Sequence, residues 1–294
     1  MAATPPGPGA EVPMDFETAL SVDAVEEAAR ELAGEGPLRQ DLEALSVGEP
    51  AIAIRGLHAG YGRMEILHGI DLVAGRGQSL CLIGPNGAGK STVLHAVFGF
   101  ADVMAGSIQV GPKDVTRLAS SRRLADAGVA YVLQDNSVFP DMTVEENLLM
   151  GGFLLHRRAE AKQAAERVFD RYDRLAQRRH RRAGVLSGGE RRLLEISRAL
   201  IMEPEVLLVD EPSIGLEPRF IDMVFEILED LQRRDGKTIV MVEQNAKKGL
   251  EFADIGYVIV SGRLAMAGPG DALLEDPEVG RLFLGAGRRL DALE

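Results

Sequence analysis

The chain contains no tryptophan and a single cysteine, Cys81, among its 294 residues. One cysteine excludes an intrachain disulfide and favours a reducing compartment, the cytoplasm. Long uncharged runs are also missing, because the longest, residues 77–89, has thirteen residues and is interrupted by glycine and proline. A membrane-spanning helix needs about 20 apolar residues, and the first residues lack the basic flank and apolar run of a secretory signal. We therefore expect any contact with a membrane to be made through a partner.

Positive charge is scarce at one end of the chain. The sequence has 33 Lys and Arg against 45 Asp and Glu, a net charge of −12, and residues 1–50 contribute eleven acids and only two bases. The other 244 residues are nearly neutral, with a net charge of −3. Nucleic acid phosphates are bound by an excess of basic side chains. The charge therefore excludes DNA or RNA as the main partner.

The acidic extension, residues 1–50, has two interpretations. Its first part is rich in Pro, Gly and Ala and cannot bury enough apolar surface to become ordered. Helical spacing of apolar residues predicts short helices over 21–34 and from Pro37 onward. The default interpretation is a solvated, partly helical tail, and the alternative is a regulatory segment whose acids dock on a basic surface such as Arg178–Arg182. The second helix is expected to turn three leucines inward: Leu38, Leu42 and Leu45.

From Ala51 onward, short apolar runs bounded by glycine alternate with stretches of helical periodicity. The runs SLCLIG, VAYVL, EVLLVD, TIVMVEQ and IGYVIVSG predict strands. Strands that alternate with helices indicate an α/β fold with a largely parallel, buried sheet. Between Thr143 and Ile201 the sequence offers only helical material, which indicates a helical subdomain inserted into the α/β core.

A glycine-rich loop follows the strand SLCLIG and leads into a helix. It fits the pattern G-x-x-x-x-G-K-[ST], and its context between strand and helix is that of a phosphate-binding loop rather than an ordinary glycine-rich turn. The helix N-terminus and inward N–H groups favour phosphate, Lys90 can reach the β- and γ-phosphates, and the Ser91 hydroxyl can bind Mg²⁺. We therefore predict that the chain binds ATP or GTP. The residues assigned to this site are Gly84, Pro85, Asn86, Gly87, Ala88, Gly89, Lys90, Ser91 and Thr92.

Two acids follow the apolar strand VLLV. Asp210 ends that strand and Glu211 comes directly after it, at the strand end where open α/β sheets place their ligands. Asp210 is expected to hold Mg²⁺ through water, and Glu211 to orient and deprotonate the attacking water. The alternative is that both acids only face solvent. A phosphate loop, however, requires an acidic partner at this place.

A further motif, LSGGE at 186–190, is one that a generic phosphate-loop enzyme does not have. Together with the phosphate loop, Gln134 after the strand VAYVL, and the segment VLLVDEP, it resembles the ATP-binding subunit of an ABC transporter. The resemblance covers about residues 51–286. It implies a phosphate-loop NTPase core with an inserted helical subdomain at about 141–201 and an antiparallel β subdomain, followed by a tail at 287–294.

The resemblance also implies roles for residues outside the phosphate loop. Two subunits form a head-to-tail dimer, and each ATP lies on one phosphate loop and is capped by LSGGE of the other subunit. Tyr61 occupies the place of the aromatic residue that stacks on adenine, although an ordinary packed tyrosine is the alternative. Gln134 would contact Mg²⁺ and the attacking water and link the core to the helical subdomain. The capping residues start a predicted helix, a ready anion site: Ser187, Gly188, Gly189 and Glu190.

Within this family the likeness is to the ATPase of branched-chain amino acid importers, carried by AGYGRMEILHGI, FPDMTVEENLLMG, LLVDEPSIGLEP and VEQN. It implies a homodimer or heterodimer, two membrane-spanning permease subunits and, indirectly, a solute-binding protein. The chain would lie in the cytoplasm on the inner face of the cell membrane. Importers of urea or short amides look alike at this level, whereas a soluble ABC protein or a lipid exporter fits less well.

Two positions depart from the family pattern. Most ABC ATPases place a histidine near the γ-phosphate where this chain has Gln244, and glutamine donates a hydrogen bond but carries no charge or proton. We therefore expect slower turnover than with histidine. Glu217 stands where many relatives have aspartate, and the longer side chain is expected to weaken communication between the two sites of the dimer.

Overall fold

The computed structural model describes residues 36–134 and 137–283. They form two sheets and a separate helical segment. The expected helix over 21–34 and the tail at 287–294 lie outside the described residues. Within the described ranges, no helix combines the length and apolar character that a membrane crossing requires.

The first sheet is antiparallel and shares a hydrophobic cluster with the second, larger sheet. Its four strands are arranged in the order β2-β1-β4-β5, and the pairing of β1 with both β2 and β4 is interrupted by register shifts. The sheet matches the antiparallel β subdomain that the family resemblance implies. Its strands are β1 (Pro50–Tyr61), β2 (Met64–Gly75), β4 (Asp102–Val110) and β5 (Lys113–Asp114).

The second sheet has six strands in the order β10-β9-β3-β8-β7-β6. All its pairings are parallel except that of β10 with β9, so the predicted α/β fold with a largely parallel sheet is confirmed. The strands are β3 (Ser79–Ile83), β6 (Val129–Val132), β7 (Val206–Asp210), β8 (Thr238–Val242), β9 (Ile255–Val260) and β10 (Arg263–Pro269).

Successive side chains of the central strands point to opposite faces of the sheet, and this explains why these strands are apolar throughout. In β3, Leu80 and Leu82 belong to the hydrophobic cluster shared with the antiparallel sheet. Cys81 and Ile83 point to the opposite face and join a second cluster. Both faces are covered, so each position of the strand favours an apolar residue.

Helices cover the faces of the second sheet and flank the first. The helix after the phosphate loop packs in the first cluster, and the helices that follow β7, β8 and β10 supply the second. These helices are α2 (Lys90–Phe98), α3 (Ser120–Ala127), α8 (Pro218–Arg233), α9 (Ala246–Phe252), α10 (Gly270–Glu275) and α11 (Pro277–Phe283).

A helical segment with a hydrophobic cluster of its own lies between β6 and β7. A capping box at Thr143 and Glu146 starts its first helix. Its last helix contributes Leu193 and Leu194 to this cluster and Ile196 to the cluster of the sheet, so that helix joins the segment to the core. Its α-helices within the described residues are α4 (Val144–Gly151), α5 (Arg158–Arg171), α6 (Asp173–Ala176) and α7 (Gly188–Leu200).

The last part of the acidic extension packs against the body of the protein. Helix α1 (Arg39–Leu45) buries Leu42 in the first cluster, and the Gln78 side chain donates to the carbonyl of Leu45 and accepts from the N–H of Val47. The expected inward position of Leu38 is wrong: this residue precedes the helix and is 62% exposed. Residues 39–47 are therefore not a free tail.

Candidate functional site

The phosphate loop connects β3 with α2, as the sequence predicts. Gly84 has φ +146°, and a Cβ at this position would lie 2.0 Å from the carbonyl oxygen of Ile259. No other residue fits so close to the backbone of β9. Gly89 adopts φ +98° immediately before Lys90 begins the helix, so the loop enters the helix through a conformation that favours glycine.

Lys90 lies within the arc of the loop. Its side chain is 5% exposed, and Nζ donates hydrogen bonds to the carbonyl oxygens of Gly84 and Pro85, each at 2.9 Å. Burial lowers the pKa of Lys90, while the nearby carboxylates of Glu211 and Asp210 act in the opposite direction. The ammonium group is thus held in the loop beside two acids.

Asp210 ends β7 and is almost completely buried, with 3% exposure. The Ser91 hydroxyl donates to Oδ1 at 3.0 Å, and the Tyr131 hydroxyl donates to Oδ2 at 2.7 Å. Burial and the Asp210 charge raise the pKa of Tyr131, so its hydroxyl stays protonated and remains a donor. Serine and aspartate oxygens, the ligand type that Mg²⁺ prefers, therefore meet at the start of α2.

Gln134 and Glu211 are in direct contact. The amide nitrogen of Gln134 donates to Oε2 of Glu211 at 2.9 Å. Glu211 has φ +42°, uncommon for a residue with a side chain, and its N–H donates to the carbonyl of Val242 at 2.9 Å. That bond fixes the turn by which the chain leaves β7.

The predicted residues of the core share one edge of the parallel sheet because they follow neighbouring strands. The phosphate loop follows β3, Gln244 follows β8, Asp210 and Glu211 end or follow β7, and Gln134 follows β6. Gln244 is exposed at this edge. The carboxyl edge of a parallel sheet is where such folds bind ligands.

Tyr61 ends β1 and is 44% exposed. Its hydroxyl bonds to Nδ1 of His95 on α2, and the His95 ring packs edge-on against Tyr61, Phe100 and Tyr131. Burial lowers the pKa of His95. The exposed part of Tyr61 is therefore supported from behind by an aromatic cluster that extends toward Asp210.

The LSGGE segment starts α7 with a capping box. The Ser187 hydroxyl accepts from the N–H of Glu190, and the Glu190 carboxylate accepts from the N–H of Ser187. The hydrogen bond from the Ser187 N–H to the carboxylate is the main cause that lowers the pKa of Glu190. Gly189 is needed for packing, because a Cβ there would lie 2.2 Å from the ring of Phe220.

The basic run before LSGGE is largely paired within the helical segment. Arg179 contacts Glu145 and Glu166, and Arg178 contacts Glu190. Arg181 and Arg182 of the same run are exposed, and docking of the acidic extension on this surface stays a prediction. Glu217, the second departure from the family pattern, is exposed at the start of α8 and pairs with Arg219 at 3.0 Å.

Three further residues that make polar contacts at this edge were missed by the sequence reasoning. Besides Tyr131, they are Arg192 and Glu243, which are 4% and 1% exposed. The Glu243 carboxylate accepts from the Ser213 hydroxyl at 2.8 Å and from the N–H of Asn245 at 2.9 Å. A charged residue on the apolar face of a helix, or directly after a buried strand, is the signal that could have found Arg192 and Glu243.

Comparison with known proteins gives a consistent result. A family model described as ABC transporter matches residues 67–214. The high-affinity branched-chain amino acid transport ATP-binding protein BraG of Pseudomonas aeruginosa is 42% identical over 225 residues, which are 76% of this chain and 95% of that protein. The probable branched-chain amino acid transport ATP-binding protein LivF of Archaeoglobus fulgidus is 36% identical over 229 residues, covering 78% and 96% of the two chains. A crystal structure of an ATP-binding cassette of an ABC transporter, in its ADP conformation, gives a TM-score of 0.71 at 27% identity and covers 81% of this chain and 100% of that one.

Proposed function

The chain belongs to the ABC transporter family, and from that premise we propose that it is the ATP-hydrolysing subunit of an importer for branched-chain or other amino acids. The family binds and hydrolyses nucleotide. The solute is carried over from the two relatives, whose names give branched-chain amino acid transport. The single observation that most supports an active ATPase is the Gln134–Glu211 contact at the carboxyl edge of the sheet.

In this proposal the phosphate loop, with Lys90, binds the β- and γ-phosphates of ATP. Ser91 and Asp210, joined by a hydrogen bond of 3.0 Å, offer the oxygen ligands that Mg²⁺ prefers; Ser91 and Gln134 would hold the ion directly, and Asp210 through water. The ion, when bound, neutralises charge on the phosphates. Tyr131 supports this arrangement by holding the second oxygen of Asp210.

Glu211 acts as the general base of the proposed reaction. Its carboxylate orients the attacking water and takes its proton as the water adds to the γ-phosphorus and the bond to ADP breaks. Gln134 holds that carboxylate through the side-chain hydrogen bond. Gln244, exposed at the same edge, donates a hydrogen bond to the γ-phosphate.

ABC ATP-binding subunits work as dimers, and we propose a head-to-tail arrangement for this chain. Tyr61 stacks on adenine in its own subunit. The start of α7, with Ser187, Gly188, Gly189 and Glu190, caps the γ-phosphate bound by the partner. Support comes from the helix N-terminus, which is formed by a capping box and favours an anion.

The helical segment is the proposed contact with the permease subunits. Large apolar side chains are exposed on it or beside it: Phe139 is 44% exposed, Met150 40% and Phe153 78%. An exposed apolar patch of this kind is typical of an interaction site. We assign the ATPase domain to residues 51–286, with the helical subdomain at about 141–201, and place it on the inner face of the cell membrane.

The proposal is tested by purifying the tagged full-length chain from detergent-solubilised membranes of its host and reconstituting the recovered complex in liposomes. The expected result is two multispanning subunits and uptake of leucine, isoleucine or valine that requires ATP and the solute-binding protein. Uptake of urea or short amides instead would replace the solute assignment. Recovery with ribosomes or DNA and without membrane subunits would contradict a transport function.

A further inference from the structure

Arg192 lies on α7, two residues beyond the LSGGE segment, and its side chain is buried beside the proposed catalytic residues. Nη1 donates to the carbonyl oxygen of Leu133 at 2.7 Å, and Nη2 donates to the carbonyl oxygen of Asp210 at 3.0 Å. One guanidinium group therefore joins the ends of two neighbouring strands, β6 and β7.

The two carbonyl groups precede the two residues that meet at the catalytic edge. Leu133 is followed by Gln134, and Asp210 is followed by Glu211. The Gln134 amide and the Glu211 carboxylate are 2.9 Å apart. The guanidinium group is therefore bonded to the backbone immediately before both side chains.

Charge inside the core is balanced locally. Glu195, three residues further along α7, is 6% exposed and accepts from Nη1 of Arg192 at 2.9 Å. A buried charge is tolerated only when paired and hydrogen-bonded. The pair is thus a fixed part of α7, and it moves with the helix that starts at Ser187, about 7.5 Å away along the helix axis.

We propose that Arg192 is a positioning residue that sets the distance between Gln134 and Glu211 and links it to the placement of α7. Docking of the LSGGE segment on the partner's nucleotide then acts, through the two carbonyl bonds, on the base of the same subunit. This inference rests on the proposed function, because it assumes that Glu211 is the base and that Ser187 faces the partner's ATP.

Arginine suits this task better than lysine. Its planar fork directs separate N–H groups to two acceptors, whereas the lysine ammonium is a single point on a flexible chain. Arg192→Lys keeps the positive charge beside Glu195 but cannot hold both carbonyl oxygens in the same geometry. The substitution therefore tests the hydrogen-bond geometry of Arg192 while the buried positive charge is kept.

Arg123 provides a matched control. It is 2% exposed on α3, and its guanidinium group donates to the carbonyls of Ala96, Val97, Thr116 and Leu118. Arg123→Lys therefore also breaks the fork of a buried arginine, and none of its four acceptors adjoins Gln134 or Glu211 in the sequence. This variant measures how much stability is lost when a buried arginine is replaced by lysine.

The experiment measures kcat, KM for ATP and the binding of a fluorescent ATP analogue for both lysine variants of the full-length chain. We expect Arg192→Lys to lower kcat roughly 10- to 100-fold, the loss that a small misplacement of catalytic groups produces, with analogue affinity within about twofold of wild type. Arg123→Lys is expected to lower the melting temperature and leave kcat unchanged. If Arg192→Lys keeps wild-type kcat, or raises KM alone, the inference is wrong.

A second variant allows the inference to be tested if Arg192→Lys does not fold. Arg192→Gln with Glu195→Gln removes both buried charges together, so no unpaired charge remains. We expect the same loss of kcat, and wild-type kcat in this double variant would also overturn the inference. Glu211→Gln, tested in parallel, distinguishes the two proposals: if it abolishes hydrolysis while the Arg192 variants do not, only the positioning role fails.

Discussion

The side-chain amide of Gln134 donates a hydrogen bond to the carboxylate of Glu211, with 2.9 Å between nitrogen and oxygen. The two residues are 77 positions apart in the sequence and meet because β6 and β7 are parallel neighbours. The bond restricts the rotation of the carboxylate that is proposed to accept the proton of water. It also ties the base to the chain that leads into the helical segment.

Loss of the Gln134 amide is expected to impair hydrolysis more than binding. In Gln134→Ala the Glu211 carboxylate loses a donor that orients it, so we expect kcat to fall by about tenfold or more. Affinity for ATP in the absence of Mg²⁺ should stay within about twofold, because the phosphate loop is unchanged. Gln163→Ala, an exposed glutamine of α5, serves as the control with wild-type kinetics. Equal kcat in the two variants would remove Gln134 from the site.

Removal of the Tyr131 hydroxyl is expected to weaken the metal site. Tyr131→Phe keeps the ring in the aromatic cluster but frees Oδ2 of Asp210, and the loss of a residue that orients a metal ligand costs roughly 10-fold in metal affinity. The Mg²⁺ concentration that half-saturates nucleotide binding should rise accordingly. Tyr257→Phe, which removes a buried hydroxyl bonded to Val73, should leave that concentration unchanged, and an identical result for both variants would contradict the role of Tyr131.

Substitutions at Gln244 test the departure from the family pattern. Histidine can carry charge and pass a proton, whereas glutamine only donates a hydrogen bond. We expect single-turnover hydrolysis to increase from Gln244→Ala to wild type to Gln244→His, with about tenfold between the last two. Unchanged hydrolysis and ATP affinity in Gln244→His would show that the substitution does not limit the rate.

The docked part of the acidic extension is expected to contribute to stability. Leu42 is 2% exposed in the first cluster, so Leu42→Ala should cost about 2–4 kcal/mol and lower the melting temperature by roughly 5–10 °C. The matched control is Glu43→Ala on the same helix, because the Glu43 pair with Arg55 is exposed and 3.6 Å long and is worth little. A melting temperature for Leu42→Ala equal to that of Glu43→Ala would mean that the helix does not contribute.

Sequence reasoning was most successful where the signal is local. The phosphate loop, the strand that delivers Asp210 and the helix that starts at the LSGGE segment each depend on a few consecutive residues, and the structure has all three as expected. The order of the strands brings these segments to one edge. Periodicity gives no such order, and the sequence analysis did not predict it.

Contacts between distant segments could not be predicted from the sequence. Tyr131 binds an oxygen of Asp210, 79 positions away, and Arg192 binds the carbonyl of Leu133, 59 positions away. The inward position expected for Leu38 failed because the helix begins after that residue. Docking of α1 depends on Gln78, a polar side chain whose partners are backbone groups of the extension, and periodicity does not reveal such bonds.

The account depends most directly on Glu211 as the base of an ATP-hydrolysing dimer. The decisive measurement is hydrolysis and retention of ATP by Glu211→Gln, with the oligomeric state determined by light scattering in the same sample. Loss of a general base costs roughly 10²- to 10⁴-fold in rate, so we predict a dimer that holds two unhydrolysed ATP molecules and turns over at that reduced rate. Turnover near the wild-type rate, with ATP released as ADP and phosphate, would contradict the account.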